Sequence, residues 1–211
     1  MAGSKRAWGS ALQKSDEQFE IKRGAILRTA AQMIRRRGYS QTSLADVAEF
    51  LNVSKPTIYY YFRNKDEIIL EVLRNTIDLI LDPIDHPEDY PNAPGLSGAE
   101  RLERYVRRIV RLIADDMVCC LLTTPKEMLN PETLHEYDVC APLVDKMAEQ
   151  IIRDGIADGS IAHCDPRASH LFIVGALIFL PSWRHPDAYS GDTIAELFVD
   201  FVMRGMRPRP A

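Results

Sequence analysis

At 211 residues, 46% of them hydrophobic, the chain is long enough for one large or two small packed domains. It has no uncharged apolar run of the roughly 18 residues that a membrane-spanning helix needs, and Met1 to Arg6 lead into no apolar stretch of the secretory kind, so a cytoplasmic protein without membrane contact is expected. The net charge of −4 is unevenly spread: residues 1–65 hold 12 Lys and Arg against 5 Asp and Glu, a net of +7, and residues 66–211 hold 14 against 25, a net of −11. A basic head on an acidic body suits contact with a polyanion and argues against reading the overall negative charge alone.

Residues 1–18 show no hydrophobic periodicity and are expected to form a disordered tail, in which Lys5 and Arg6 could follow a DNA groove. A first helix is predicted from about Phe19 to Arg37, with Ile26, Ala30, Met33 and Ile34 inward. Arg35, Arg36 and Arg37 sit at its negative end and Gly38 closes it. Leu44, Val47, Ala48 and Leu51 then fall on one face of a short helix, with Ser43 and Asp46 spaced as a capping box. Asn52 is placed to turn the chain in a left-handed conformation. Ser54 caps a second short helix that tolerates Pro56 in its first turn. Ile58 and Phe62 are four apart and should pack back on Val47, Ala48 and Leu51. Adjacent residues on a helix point about 100° apart, so Tyr59, Tyr60 and Tyr61 cannot all be core. The pair reads as a helix-turn-helix.

A fourth helix is predicted from Asp66 to about Asp82, inward through Ile68, Ile69, Val72, Leu73, Ile77 and Ile80. Pro83 to Gly98, with four prolines and two glycines, reads as a long loop, either a surface excursion or a gate. A fifth helix is expected from about Ala99 to Thr123. Arg101, Arg104, Arg107, Arg108 and Arg111 lie off its apolar stripe, as a solvated face or a cluster for an anionic group. After Pro125 come a short helix near 126–130 and a long one from Pro131 to Asp158, with a kink at Pro142. Asp165 and Pro166 open the next helix. Its Leu171 to Leu180 stretch is apolar all round, which implies a core face plus a partner face, and Gly175 and Ala176 would allow close helix approach. Trp183 to Pro186 form a turn, and Asp192 caps a last helix to about Met206.

The run Gly38-Tyr39, Thr42-Ser43, Val47-Ala48, Val53-Ser54, Pro56-Thr57, Ile58-Tyr59, Tyr61-Phe62, Asn64-Lys65 resembles the DNA-binding domain of TetR-type transcriptional regulators. The resemblance is specific over roughly residues 20 to 75 and a matter of layout beyond. Asn52 stands where that family usually has Gly, and Ala45 where some members carry a longer polar residue. It implies an all-α protein: a tail over 1–18, a three-helix helix-turn-helix DNA-binding domain over 19–65, and a larger helical effector-binding and dimerisation domain over 66–211. By resemblance, Thr42, Ser43, Tyr59, Tyr60 and Lys65 hold the phosphate backbone, and Lys55, Pro56, Thr57 and Tyr61 enter the major groove. Residues 167–181 and 192–206 would form a four-helix homodimer interface, and the dimer would read a palindromic double-stranded operator. Tyr105, Ile109, Met117, Leu121, Met128, Tyr137, Met147, Phe172, Ala176, Phe179 and Trp183 are the candidates to line an effector cavity, or else belong to ordinary core. The implied effector is small and apolar: an acyl or polycyclic compound, or an acyl-CoA thioester.

No nucleotide-binding glycine loop occurs, the five histidines lack metal-ligand spacing, and Cys119, Cys120, Cys140 and Cys164 form no Cys-x-x-Cys pair. The expectation is a regulator without cofactor, metal or enzymatic activity and with reduced thiols. The competing reading is an all-α carrier or enzyme whose basic head is incidental; salt-dependent DNA binding separates the two.

Overall fold

The computed structural model describes residues 3–81, 91, 93–113, 115–180 and 191–208, and among these no strand occurs. The helices are α1 (Gly3–Arg37), α2 (Leu44–Phe50), α3 (Lys55–Tyr61), α4 (Lys65–Leu81), α5 (Gly98–Ile113), α6 (Asp116–Thr123), α7 (Pro131–Ala157), α8 (Pro166–Phe179) and α9 (Gly191–Met206).

Two cores organise them. The head core joins Ile26, Leu27, Ala30, Ala31, Met33 and Ile34 of α1 to Val47, Ala48, Ile58 and Phe62 and to Ile68, Ile69, Val72 and Leu73 of α4. Cys120 and Leu121 of α6 belong to the same cluster, so α6 is wedged between head and body. The body core is α5 packed on α7 and α9, with α8 against α7. Arg35 and Asp116 form an ion pair from α1 to α6, and Arg23 pairs with Glu71 of α4 while lying 4.7 Å over the Phe62 ring.

Four expectations are corrected. Helix α1 begins at Gly3, not near Phe19, so residues 3–18 are helical instead of an unstructured tail. Extending an existing helix adds one hydrogen bond per residue with no new nucleation cost, so polar, Ala-containing sequence can follow without an apolar stripe. The helix expected over 99–123 is two. Asp115 adopts an extended conformation and its carboxylate accepts from the Met117 N–H at 2.7 Å, capping α6 as a new start. The segment expected near 126–130 is a single 3-10 turn, Lys126–Met128. Finally, the arginines of α5 are not one solvated face. Arg108 is 5% exposed and its Nε donates to the Leu79 carbonyl at 2.8 Å; Arg101 pairs with Asp154 and Arg107 with Glu103 and Glu196. These guanidiniums tie helices together.

Other boundaries follow the local chemistry. Gly38 and Gly159 have positive φ where α1 and α7 end. Asn130 and Asp165 cap α7 and α8, and Pro142 stands inside α7. Helix α9 starts at Gly191, so Asp192 lies within it. The gate reading of the loop rests on residues 82–90 and 92, and the turn around Trp183 on 181–190; both lie outside the described residues.

Candidate nucleic-acid interface and ligand cavity

The α2–α3 pair is built by caps. The Ser43 hydroxyl accepts from the Asp46 N–H at 3.2 Å, and Asp46 accepts in return from the Ser43 N–H at 2.8 Å. The Ser43 hydroxyl also donates to Asp46 Oδ2 at 2.6 Å, and that bond, with the one from the Ser43 N–H, holds the Asp46 carboxyl below the usual carboxylate range. Helix α2 ends in a Schellman turn: the Asn52 N–H donates to Glu49 and the Val53 N–H to Ala48, both at 3.0 Å, with Asn52 at φ +53°. Ser54 caps α3 by accepting from the Thr57 N–H at 3.3 Å. Asn tolerates the left-handed region better than other side chains but less well than Gly. Asn52→Ala is therefore expected to lower stability by about 1 kcal/mol, and Asn52→Gly to raise it by a few tenths, in urea denaturation of the full chain.

Ile58 and Phe62 are fully buried and clamp α3 onto α2. Lys55, Pro56, Thr57, Tyr59 and Tyr60 are left exposed on one rim. The Tyr61 ring lies 4.8 Å from Phe19 of α1, and Tyr60 meets both rings edge-on at 5.8 and 5.2 Å. Phe19, read from sequence only as a helix start, is the pad that holds the tyrosines. Its signal was an aromatic inside an otherwise polar stretch.

Lys65 is anchored: its Nζ donates to the carbonyls of Tyr39 at 2.6 Å and Thr42 at 3.2 Å and lies 4.0 Å over the Tyr39 ring. The Tyr39 hydroxyl donates to Asp66, and burial with that carboxylate beside it pushes the phenol up. Thr42 is 3% exposed and donates to the Gly38 carbonyl at 3.1 Å.

In the body, a cavity of about 120 Å³ lies among α4, α5, α6, α7 and α8. Its walls are apolar, with Leu73, Ile77, Ile109, Leu121, Val144 and Leu177 among them. Tyr105, Thr76, Tyr137 and Asp145 supply the polar edges.

Two family models match this chain. The one described as bacterial regulatory proteins, tetR family, spans residues 26–72, and the one described as tetracyclin repressor-like, C-terminal domain, spans 95–206. The chain belongs to the TetR family. It is a ligand-responsive, dimeric DNA-binding transcriptional regulator. It is similar to the uncharacterized HTH-type transcriptional regulator YhgD of Bacillus subtilis (strain 168), 27% identical over 191 residues, 86% of this chain and 94% of that protein. The fold matches the ketosteroid transcriptional regulator KstR2 of Mycobacterium tuberculosis at a TM-score of 0.77 and 19% identity, over 89% of this chain and 96% of that one. It also matches AibR, solved with isovaleryl coenzyme A and operator DNA, at 0.74 and 22%, over 89% and 99%.

On this TetR-family frame the expected site residues separate into groups. Ser43, Lys55, Pro56, Thr57, Tyr59 and Tyr60 stand exposed around α3. Tyr61 is half-buried on Phe19, and Thr42 is sealed in, so its side chain positions the turn and does not reach outward. Of the cavity candidates, Tyr105, Ile109, Leu121 and Tyr137 line it. Met117 packs against the head core, Met147 against the body core, and Met128 is exposed with Ser40 hydrogen-bonded to its sulfur at 3.4 Å. Phe172, Ala176 and Phe179 point the other way. Phe172 and Phe179 are 79% and 66% exposed, and the line Phe172, Gly175, Ala176, Phe179 runs along the outer face of α8. Trp183 lies outside the described residues. Sequence reading missed Val144, Asp145, Val174 and Leu177, because which face of α7 and α8 turns inward depends on their neighbours.

The cysteines are free; burial pushes the Cys120 thiol up to about 12, which makes it a poor nucleophile. No helix among the described residues is long and apolar enough to cross a membrane.

Proposed function

We propose that the chain is a repressor whose α3 helices enter successive major grooves of a palindromic operator and that a small apolar molecule in the body cavity releases it. The observation that carries the reading is the division of labour in α3: Ile58 and Phe62 are fully buried, while Lys55, Pro56, Thr57, Tyr59 and Tyr60 are exposed. Lys55 and Thr57 have side chains able to reach base edges; Ser43, Tyr59 and Tyr60 have hydroxyls for phosphates. Lys65 keeps one donor beyond its two carbonyls for a phosphate. Ala45, half-buried on α2, adds little base contact, so α3 carries the sequence preference.

The two heads must be held one helical turn of DNA apart, and the outer faces of α8 and α9 supply the surface for a second copy. Leu171, Phe172, Phe179, Leu197 and Phe201 are all more than half exposed in one chain.

Coupling runs through α4 and α6. Leu73 and Leu121 belong to the head core and also line the cavity, and Thr76, Ile77, Ile80, Val118 and Leu122 extend that lining along the same helices. A ligand larger than the resting cavity displaces these walls and with them the head. It lowers operator affinity by the difference in its affinity for the two spacings. A cavity of about 120 Å³ suits a molecule of benzene size, since apolar cavities near 150 Å³ take benzene. AibR is solved with isovaleryl coenzyme A, whose short branched acyl group is of that order.

Sequencing the DNA fragments that the purified protein retains, then screening compounds that release them, tests the reading; no salt-dependent retention of any duplex would refute it. Within the retained set, Lys55→Ala is expected to cost about 1–3 kcal/mol and to alter base preference at one position of each half-site. Lys65→Ala is expected to weaken all sequences alike and to lower thermal stability as well, because its two carbonyl partners lose a charged donor worth about 1.5–3 kcal/mol. Fluorescence anisotropy over a salt series and a melting curve separate the two variants.

A further inference from the structure

The cavity is not uniformly apolar: Tyr105 and Asp145 line it, and His170 stands behind Asp145 with one ring nitrogen unsatisfied. Tyr105 is 2% exposed, lines the cavity, and its hydroxyl has no hydrogen-bond partner among the described residues. Asp145 lines the same cavity from α7. Burial, and secondarily the Asp145 charge, push the Tyr105 phenol up. Behind Asp145 stands His170 of α8, 1% exposed, its Nε2 2.9 Å from Asp145 Oδ1 and its ring centroid 6.2 Å from that of Tyr105. The carboxylate accepts, so Nε2 carries a hydrogen, and His170 Nδ1 is buried with no partner.

A buried imidazole with an orphaned nitrogen is costly, and a carboxylate on the wall of an apolar cavity, backed by that histidine, serves no core. The pair makes sense as an orienting device: His170 holds one oxygen of Asp145 and leaves the other, on a half-exposed side chain, free to accept. Tyr105 can donate and accept; Asp145 can only accept. A ligand group that satisfies both must donate to the carboxylate.

We propose that Tyr105 and Asp145, with His170 as positioning residue, form the head-group subsite of the effector cavity, and that it selects a small apolar molecule ending in a hydrogen-bond donor, a hydroxyl or ammonium, against one ending in a carboxylate. The proposal rests on the cavity being the effector site. A hydroxyl accepts from Tyr105 and donates to Asp145 in one atom, and an ammonium donates to both oxygens. A carboxylate meets Asp145 as a like charge.

The test is calorimetric titration of the full-length protein at neutral pH with 1-hexanol, hexylamine and hexanoate, which share one apolar chain. Hexanol and hexylamine are expected to bind about 10-fold or more tightly than hexanoate. Asp145→Asn should bring hexanoate to within about 3-fold of hexanol, and Tyr105→Phe should weaken hexanol about 10-fold while leaving hexanoate excluded. The wild-type ranking alone is decisive if either variant fails to fold. Equal binding of all three probes, abolished by the cavity-filling Val144→Phe, would leave the cavity as the effector site and overturn the head-group selection. Failure of every probe to bind would overturn both.

Discussion

Replacing Phe172 and Phe201 together by aspartate is expected to convert the dimer into folded monomers that no longer hold a palindromic duplex. The two rings are 79% and 76% exposed in one chain, and with Phe198, Ile173 and Met206 they border an open groove of about 410 Å³ between α8 and α9. Burying a phenylalanine is worth about 1.5–3 kcal/mol, so the four rings of a two-fold dimer contribute roughly 6–12 kcal/mol. Each 1.4 kcal/mol is a factor of ten, so removing them shifts the dimerisation constant by more than about 10⁴. The added carboxylates would also put charge into an apolar face, which deepens the effect. The inward residues of the same helices, Ile173, Leu177, Ala195, Val199, Val202 and Met203, are untouched, so helicity should be unchanged. Sedimentation velocity with circular dichroism and a duplex-binding assay reads all three. A variant that stays dimeric would place the interface elsewhere.

Gly98→Ala is expected to be the most destabilising single methyl in the chain, by about 3 kcal/mol or more. A Cβ at Gly98 would lie 2.2 Å from both Cα and N of Gly155. Those are backbone atoms, so no side chain can rotate aside and α5 must lift from α7. Overpacking costs about 1–3 kcal/mol when side chains can yield, and here they cannot. The lift also threatens the Gly98 N–H bond to Asp158 at 2.7 Å, the Ala99 N–H bond to Ser160 at 2.9 Å and the Arg101–Asp154 pair. Gly155→Ala is the control. Its Cβ would sit 2.4 Å from Cδ1 of Ile161, the far end of a side chain, and 2.7 Å from Cγ1. Some relaxation is available, so a smaller loss of about 1–2 kcal/mol is expected. Urea denaturation of the two variants gives the order. Because α5 carries Tyr105 and Ile109 into the cavity, the Gly98 variant should lose effector binding along with stability.

Contiguous residues carry the local architecture, and the sequence alone determined it. Ser43 with Asp46, Asn52, Ser54 with Pro56, and Asp165 with Pro166 each specify a helix end through bonds to backbone two or three residues away. The inward set Ile58 and Phe62 was legible because α3 has one apolar face, and the charge asymmetry between head and body needs no coordinates at all. Tertiary structure decided everything that depends on a direction the pattern does not contain. The part of α8 from Leu171 on is apolar all round, so periodicity could not tell that Phe172 and Phe179 look outward while Val174 and Leu177 look into the cavity. That the Gly38 carbonyl holds the Thr42 hydroxyl, and that the Tyr39 and Thr42 carbonyls hold two of the three Lys65 donors, follows only once the head packs. Tyr105, Asp145 and His170 come from three different helices, and their convergence follows from the packing of α5, α7 and α8. Hydrophobic burial sets that packing, and being non-directional it leaves no local mark on any one of the three segments.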